Sequence, residues 1–170
     1  MAAPVSPQVY PVYILQRVAA EIFHACEKAA PYETLGRILG YRYEWEGLSY
    51  VKIVDWVTGS LDHSHVHAKF TSPGIQECES FVDERYGNTE LRPVEVGLYH
   101  SHPFHTDPHF STIDEQTFLT FPYDREGNVF LLIDPLAHFF KAFVIASHPS
   151  EPKYLKQVPW ICYMPQAKDL

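Results

Sequence analysis

One strand-loop-helix unit constrains the fold of this chain more than any other stretch. The segment from Gly97 to Phe118 reads GLYHSHPFHTDPHFSTIDEQTF. Its first part predicts a strand, and on a strand the side chains of His100 and His102 point to the same side. Ser111 is a suitable N-cap for the helix that follows, so Asp114 lies in the first turn of that helix. The unit can therefore bring two imidazoles and one carboxylate together.

Two imidazoles and a carboxylate at one point match a catalytic zinc site, which has three protein ligands and an open position for water. Each half of the unit also has a simpler explanation. Ser-x-x-Asp before an apolar helix is first of all a capping motif, and His-x-His on a strand often binds nothing. The occurrence of both motifs in one unit is more specific evidence for a metal site than either motif alone. A hydrolase also needs a base, and the unit offers no obvious spare carboxylate.

The remaining pattern predicts a single α/β domain. Apolar periodicity and helix-ending residues predict helices at 12–30, 72–86 and 111–121. Aromatic and β-branched runs predict strands at 34–45, 48–58, 93–102, 129–133 and 138–146. The proline-rich segment from residue 147 either docks as a strand at 158–164 or stays loose. This order of elements indicates helices packed on one mixed sheet.

Composition and charge exclude several classes of protein. The chain has 170 residues, of which 46% are hydrophobic and 20% charged, as expected for one globular domain. Its formal net charge of −8 argues against nucleic-acid binding, which needs lysine and arginine for the phosphates. No apolar run approaches the ~18 residues of a membrane span, and the first residues do not read as a signal peptide. The widely spaced Cys26, Cys78 and Cys162 predict reduced, mostly buried thiols in a cytoplasmic protein.

Several separated motifs resemble the JAMM motif set of MPN+ (Mov34/JAB1/PAD1) zinc metalloproteases. They are PYETLGRILG, VGLYHSHP with the Ser-x-x-Asp after it, and VFLLIDPLAHFFKAFVIA. The resemblance covers about residues 12–146, and the chain looks like a compact prokaryotic-type member of this family. It implies one cytidine-deaminase-like MPN domain with a mixed, curved β-sheet flanked by helices. Residues 1–11 would then be an N-terminal extension, and 147–170 a tail that packs on the domain or trails from it.

The resemblance also implies a role for each residue of the site. His100, His102 and Asp114 would be ligands of one Zn²⁺ ion, with a catalytic water as the fourth ligand. Glu33 would be the general base that moves a proton from that water to the leaving amine. Ser111 would donate a hydrogen bond to the oxyanion of the tetrahedral intermediate.

One departure from the family pattern concerns the loop between Pro103 and Ser111. It holds seven residues, FHTDPHF, where the family commonly has six. His105, Asp107 and His109 lie in this loop. We expect them at the rim of the site or in contact with substrate, and the alternative is that one approaches the metal.

A second histidine-rich segment, DHSHVHAKF, places His63, His65 and His67 at alternate positions. This spacing lines one side of a strand and favours an exposed edge. A second metal site and a contact with the substrate tail are the alternatives.

The resemblance implies a zinc-dependent isopeptidase or peptidase that acts on ubiquitin or a ubiquitin-like β-grasp protein. It would hydrolyse the bond after the C-terminal Gly-Gly tail, which could lie extended beside a strand. Two alternatives stay open: processing of a sulfur-carrier protein, and a non-catalytic MPN scaffold with a structural zinc. The expected partners are the β-grasp protein or its conjugates, with a second copy or another MPN protein as a further candidate. No nucleic acid and no membrane are expected.

Overall fold

The computed structural model describes residues 11–106 and 108–165. The helices in these ranges are α1 (Gln16–Ala29), α2 (Ser72–Tyr86) and α3 (Thr112–Phe118). The strands are β1 (Val12–Leu15), β2 (Leu35–Trp45), β3 (Leu48–Val57), β4 (Leu61–His63), β5 (Ala68–Phe70), β6 (Val94–Ser101), β7 (Val129–Asp134), β8 (Phe139–His148), β9 (Glu151–Val158) and β10 (Trp160–Tyr163). No helix in the described part of the chain is long and apolar enough to cross a membrane.

Eight of these strands form one mixed sheet in the order β10-β1-β3-β2-β6-β7-β8-β9. Strand β1 runs parallel to β3 and β10, and β6 runs parallel to β7, whereas the other neighbours are antiparallel. Strands β4 and β5 form a separate antiparallel hairpin. The predicted α/β class and mixed, curved sheet are confirmed.

The two outer strands of the sheet are joined by a single residue, Pro159. Val158 at the end of β9 pairs with Ala142 of β8, and Trp160 at the start of β10 pairs with Val12 of β1. Proline has no N–H for a ladder, so the pairing changes partner at this residue. The Pro159 carbonyl accepts a hydrogen bond from the Val12 N–H at 3.3 Å. The sheet therefore curves until its two edges meet on one kinked segment.

Both faces of the sheet are covered. Helix α1 presents Val18, Ile22 and Cys26 at a spacing of four residues, and all three are buried against one face. Helix α2 contributes Cys78 and Val82 to a smaller cluster with β2 and β3. Helix α3 and the loop before it contribute a third apolar cluster. Its buried members are Leu35, Leu98, Phe110, Phe118, Phe130, Leu132 and Ile145.

Two helix boundaries differ from the sequence-based prediction. The predicted helix at 12–30 begins only at Gln16, because Val12–Leu15 pairs as β1 with both β3 and β10. The apolar side chains of this run fit either periodicity, so pairing with two neighbours decides the conformation. The predicted helix at 111–121 ends at Phe118. Pro122 disfavours helical conformation at the residue before it and so limits how far the helix could extend, and residues 119–121 form a turn.

The three cysteines are free. Cys26 and Cys78 are buried, whereas Cys162 is exposed on β10. Burial raises the pKa of the Cys26 thiol to about 12, so this thiol stays protonated near neutral pH.

Replacing Trp160 by Ala should weaken the closure of the sheet. The Trp160 ring packs on Phe140 at a centroid distance of 4.6 Å, and its Nε1–H donates to the Phe140 carbonyl at 2.9 Å. We expect the free energy of unfolding, measured in urea, to fall by about 2–3 kcal/mol for this partly buried ring. Trp45→Ala is the matched control, because Trp45 is 64% exposed and its loss should cost less than about 0.5 kcal/mol. Equal losses in both variants would contradict the closure role of Trp160.

Candidate metal centre

The two histidines of the strand-loop-helix unit lie side by side. His100 is on β6, and His102 follows it by two residues, so both rings point to the same side. Their ring centroids are 4.8 Å apart, and both side chains are buried. The backbone N–H of His102 donates to Ile133 of β7 at 2.8 Å, so extended pairing continues past the end of β6.

Glu33 reaches the histidines because it lies two residues before β2, the antiparallel neighbour of β6. Leu35 pairs with His100 in this ladder. Glu33 is only 4% exposed. Its Oε2 lies 3.3 Å from His100 Nε2, and its Oε1 lies 3.8 Å from His102 Nε2.

Ser101, between the two histidines, exchanges two hydrogen bonds with Thr34, the residue before β2. The Thr34 N–H donates to Ser101 Oγ at 2.9 Å, and the Ser101 N–H donates to the Thr34 carbonyl at 2.9 Å. Ser101 is fully buried, so no water competes for these bonds. The segments that carry Glu33 and the histidines are thereby held in one register.

Asp114 reaches the same place from the first turn of α3. Ser111 caps this helix: its Oγ accepts from the Asp114 N–H at 3.1 Å, and its own N–H donates to Asp114 Oδ2 at 2.9 Å. The Asp114 carboxylate then lies 3.5 Å from His100 Nε2 through Oδ1 and 3.2 Å from His102 Nε2 through Oδ2. The cap therefore orients the carboxylate toward both imidazoles.

The environment of Asp114 favours its ionised form. Burial by itself would raise the pKa of this carboxyl group. Hydrogen bonding from His102, the nearby His100 and the two donors of Ser111 outweigh burial and hold the pKa well below its ordinary range. Asp114 thus presents an anionic oxygen to the histidines.

The donor set fits a metal ion. His100 Nε2 is buried and has no hydrogen-bond partner, although two carboxylates lie within 3.5 Å of it. A buried nitrogen without a partner costs roughly 1–3 kcal/mol, which a coordinated cation would remove. Ligand atoms about 2.0–2.2 Å from a tetrahedral ion lie about 3.3 Å from one another, close to the observed separations. Glu33, His100 and His102 each offer a ligand atom within 4.8 Å of the others, the only such group among the described residues.

A pocket of about 470 Å³ opens beside this cluster. His100, Ser111 and Asp114 line one part of it. Strand β5 and helix α3 form further walls, and Leu98 and Phe118 contribute apolar surface. A ligand in this pocket would therefore lie directly against the candidate metal ligands.

The loop between Pro103 and Ser111 is anchored by a residue whose role the sequence did not indicate. Asp134 is fully buried, and its Oδ2 accepts hydrogen bonds from the N–H groups of Phe104 at 3.2 Å and Thr106 at 3.0 Å. Its Oδ1 accepts two more from the turn after β7. The one signal that the sequence offered was a carboxylate at the end of an apolar strand.

His109 of that loop lies near the candidate site, because it lines a small cavity together with His102 and Ser111. His105 and His109 are exposed, and neither belongs to the group that could hold a metal. His105 adopts a left-handed conformation with φ of 61°. Asp107 lies outside the described residues.

The histidines of the second segment also form no metal-binding group in the described structure. His63, His65 and His67 are exposed, as the favoured interpretation expected. Each ring nevertheless has a polar neighbour. His63 Nδ1 lies 3.0 Å from the Glu33 carbonyl oxygen, His65 Nδ1 lies 3.3 Å from the Pro31 carbonyl oxygen, and His67 Nδ1 lies 2.8 Å from Ser64 Oγ.

Comparisons with known proteins agree with this architecture. A structural search finds similarity to the solution structure of protein DSY2949 from Desulfitobacterium hafniense, with a TM-score of 0.59 and 20% sequence identity. The match covers 92% of this chain and 96% of that one, and at this identity it supports the fold alone. No curated protein matches the sequence. The model of the family described as prokaryotic homologs of the JAB domain matches residues 15–123, well over half of the chain. The chain therefore belongs to the prokaryotic homologs of the JAB domain.

Proposed function

We propose that the protein is a zinc-dependent peptidase or isopeptidase. Its substrate would be ubiquitin or a ubiquitin-like β-grasp protein, cleaved after the C-terminal Gly-Gly tail. The observation that supports this proposal most is the convergence of Glu33 and Asp114 on His100 and His102 beside an open pocket. Two histidines and two carboxylates supply three ligands and a base, which is the full requirement for metal-assisted hydrolysis.

The two carboxylates differ in a way that supports separate roles. Two donors of Ser111 hold Asp114 Oδ2, and the pKa of Asp114 is lowered, as suits a fixed anionic ligand. Among the described residues, none donates a hydrogen bond to the Glu33 carboxylate, whose neighbours are the two imidazoles. We therefore assign His100, His102 and Asp114 as zinc ligands and Glu33 as the general base.

When bound, a zinc ion acidifies water and polarises the substrate carbonyl. Glu33 takes a proton from the attacking water while the water oxygen bonds to the carbonyl carbon. Glu33 then returns that proton to the amine nitrogen as the carbon–nitrogen bond breaks, so the products are a carboxylic acid and an amine. Its burial keeps bulk water away from the transferred proton.

Ser111 is proposed to donate a hydrogen bond to the oxyanion, which requires its hydroxyl proton to be released from its present partner. Its hydroxyl now donates to Asp114 Oδ2 at 2.8 Å and has no second proton to give. To serve the oxyanion, the hydroxyl must rotate away from Asp114. The Ser111 N–H can remain on Asp114 Oδ2 during this rotation and keep the ligand in place.

The substrate proposal is supported by the pocket wall that β5 forms. Ala68, Lys69 and Phe70 are consecutive, yet all three line the pocket. Alternate side chains of a strand point to opposite sides, so three consecutive lining residues indicate that an edge of β5 faces the pocket. This edge is opposite the one that pairs with β4, and an extended tail could add to it as a strand.

Replacing Glu33 by Gln should abolish turnover and leave zinc bound. β-Grasp proteins fused through Gly-Gly ends to a reporter, including a sulfur-carrier protein, are incubated with native and variant chains. We expect the native chain to cleave at least one fusion and Glu33→Gln to be slower by roughly 100- to 10,000-fold. Equal turnover by both chains would reject Glu33 as the base, and silence from both with one zinc per chain would favour a non-catalytic scaffold.

Replacing Asp114 by Ala should weaken zinc binding. A ligand that binds only the folded chain stabilises it, by about 2.7 kcal/mol at a concentration 100 times its Kd. Added zinc should therefore raise the Tm of the metal-free native protein clearly and that of Asp114→Ala much less, as measured by calorimetry. Glu115→Ala removes a charge from the same helical turn and should respond like the native chain. An undiminished response of Asp114→Ala would remove Asp114 from the set of ligands.

A further inference from the structure

The position of Glu33 depends on its backbone more than on its side chain. Glu33 precedes β2, so the β2–β6 ladder, which begins at Leu35, does not include it. Its backbone is held instead by the last residue of β4 and the turn that follows it. The Glu33 N–H donates to the Ser64 carbonyl at 2.8 Å, and the Glu33 carbonyl oxygen lies 3.0 Å from His63 Nδ1.

The chemistry of the second contact fixes the direction of the hydrogen bond. A carbonyl oxygen can only accept, so His63 Nδ1 must carry the proton. The bond made by one ring nitrogen sets the tautomer of a neutral histidine, so neutral His63 is held as its Nδ1–H form. A side chain without a donor at this position would leave the Glu33 carbonyl oxygen without this hydrogen bond.

The residue before Glu33 is held by the same segment. The Tyr32 ring contacts two histidine rings, with centroid distances of 5.6 Å to His63 and 4.7 Å to His65. His65 Nδ1 also lies 3.3 Å from the Pro31 carbonyl oxygen. The β4–β5 hairpin thus contacts three consecutive residues, 31–33, and His63 is the side chain that binds Glu33 itself.

We propose that His63 is a positioning residue for Glu33. Its Nδ1–H holds the Glu33 carbonyl, and this contact directs the Glu33 carboxylate toward His100 and His102. The inference deepens the proposed function and rests on it wherever turnover is measured. It assigns a role to one member of the alternating histidines that neither metal binding nor substrate contact explains.

Kinetics of three variants test the positioning role. His63→Ala removes the donor, and we expect kcat to fall by roughly ten- to a hundredfold, the scale of a misplaced catalytic group, with KM and zinc content unchanged. His63→Asn places an amide N–H near the position of Nδ1 and should restore most of kcat. His65→Ala is the matched control, because His65 belongs to the same hairpin and contacts Pro31, two residues before the base. Its kcat should stay within about twofold of the native value.

Other kinetic outcomes would overturn the proposal. A normal kcat in His63→Ala would show that Glu33 needs no such support. An equal loss in His65→Ala, or no recovery in His63→Asn, would reduce His63 to a general stabiliser of the turn. Glu33→Gln is measured alongside as a control. If Glu33→Gln still turns over substrate, the proposed mechanism fails. If Glu33→Gln is inactive and His63→Ala retains normal turnover, only the positioning role of His63 fails.

A measurement that needs no substrate tests the hydrogen bond between His63 and Glu33 separately. Long-range ¹H–¹⁵N spectra of the metal-free native protein at pH 8 report which ring nitrogen of His63 carries the proton. We expect the Nδ1–H form, together with a shift of the Glu33 carbonyl carbon resonance in His63→Ala. A His63 ring protonated only on Nε2 would contradict the hydrogen bond and overturn the proposal, whatever the activity of the protein.

Discussion

The pairing of β2 with β6 is the constraint on which the candidate site depends. Strand β6 carries His100, and the residue that precedes β2 by two positions is Glu33. The buried exchange of hydrogen bonds between Thr34 and Ser101 sets the register at the end of this ladder. A slip of one residue would turn His100 to the other face of the sheet and separate it from both carboxylates. Backbone pairing, more than side-chain attraction, assembles the group.

The assembled group is costly for a folded protein to maintain. Two imidazoles and two carboxylates share a largely buried space, and one imidazole nitrogen has no hydrogen-bond partner. Charged and polar groups lose their hydration in such a place, and their mutual attraction repays only part of that loss. The surrounding supports are correspondingly numerous: a capping box for Asp114, a buried ladder for the histidines, and the β4–β5 hairpin for Glu33. A destabilising arrangement of this kind is typical of functional sites, where the protein loses stability in order to position reactive groups.

Sequence reasoning succeeded where a short-range rule applied. The two-residue period of a strand predicted that His100 and His102 share a side, and the capping rule placed Asp114 in the first turn of α3. Glu33 came only from family resemblance, because no local pattern shows which distant strand pairs with β6. Thr34 and Ser101 are 67 residues apart and meet only through that pairing.

Other features were invisible for the same reason. The loop contacts of Asp134 and the contact of His63 with Glu33 depend on how loops return to the sheet. The short strand β1 was predicted as helix because its pattern fits both periods, and its two neighbours in the sheet decide between them. Strand β9 gave no strong signal in a segment that reads as proline-rich, although it completes one edge of the sheet.

The single-residue connection between β9 and β10 has a consequence for how the chain is made. The residues that converge at the candidate metal centre, 33 to 114, leave the ribosome before the segment that closes the sheet at 151–163. Until that segment arrives, β1 and β8 each present an unpaired backbone edge, and such edges recruit strands from other chains. A nascent chain that stalls before residue 151 would thus contain the residues of the candidate metal centre and still be prone to aggregate. The strands that cover these two edges are thus made only after the residues of the candidate site.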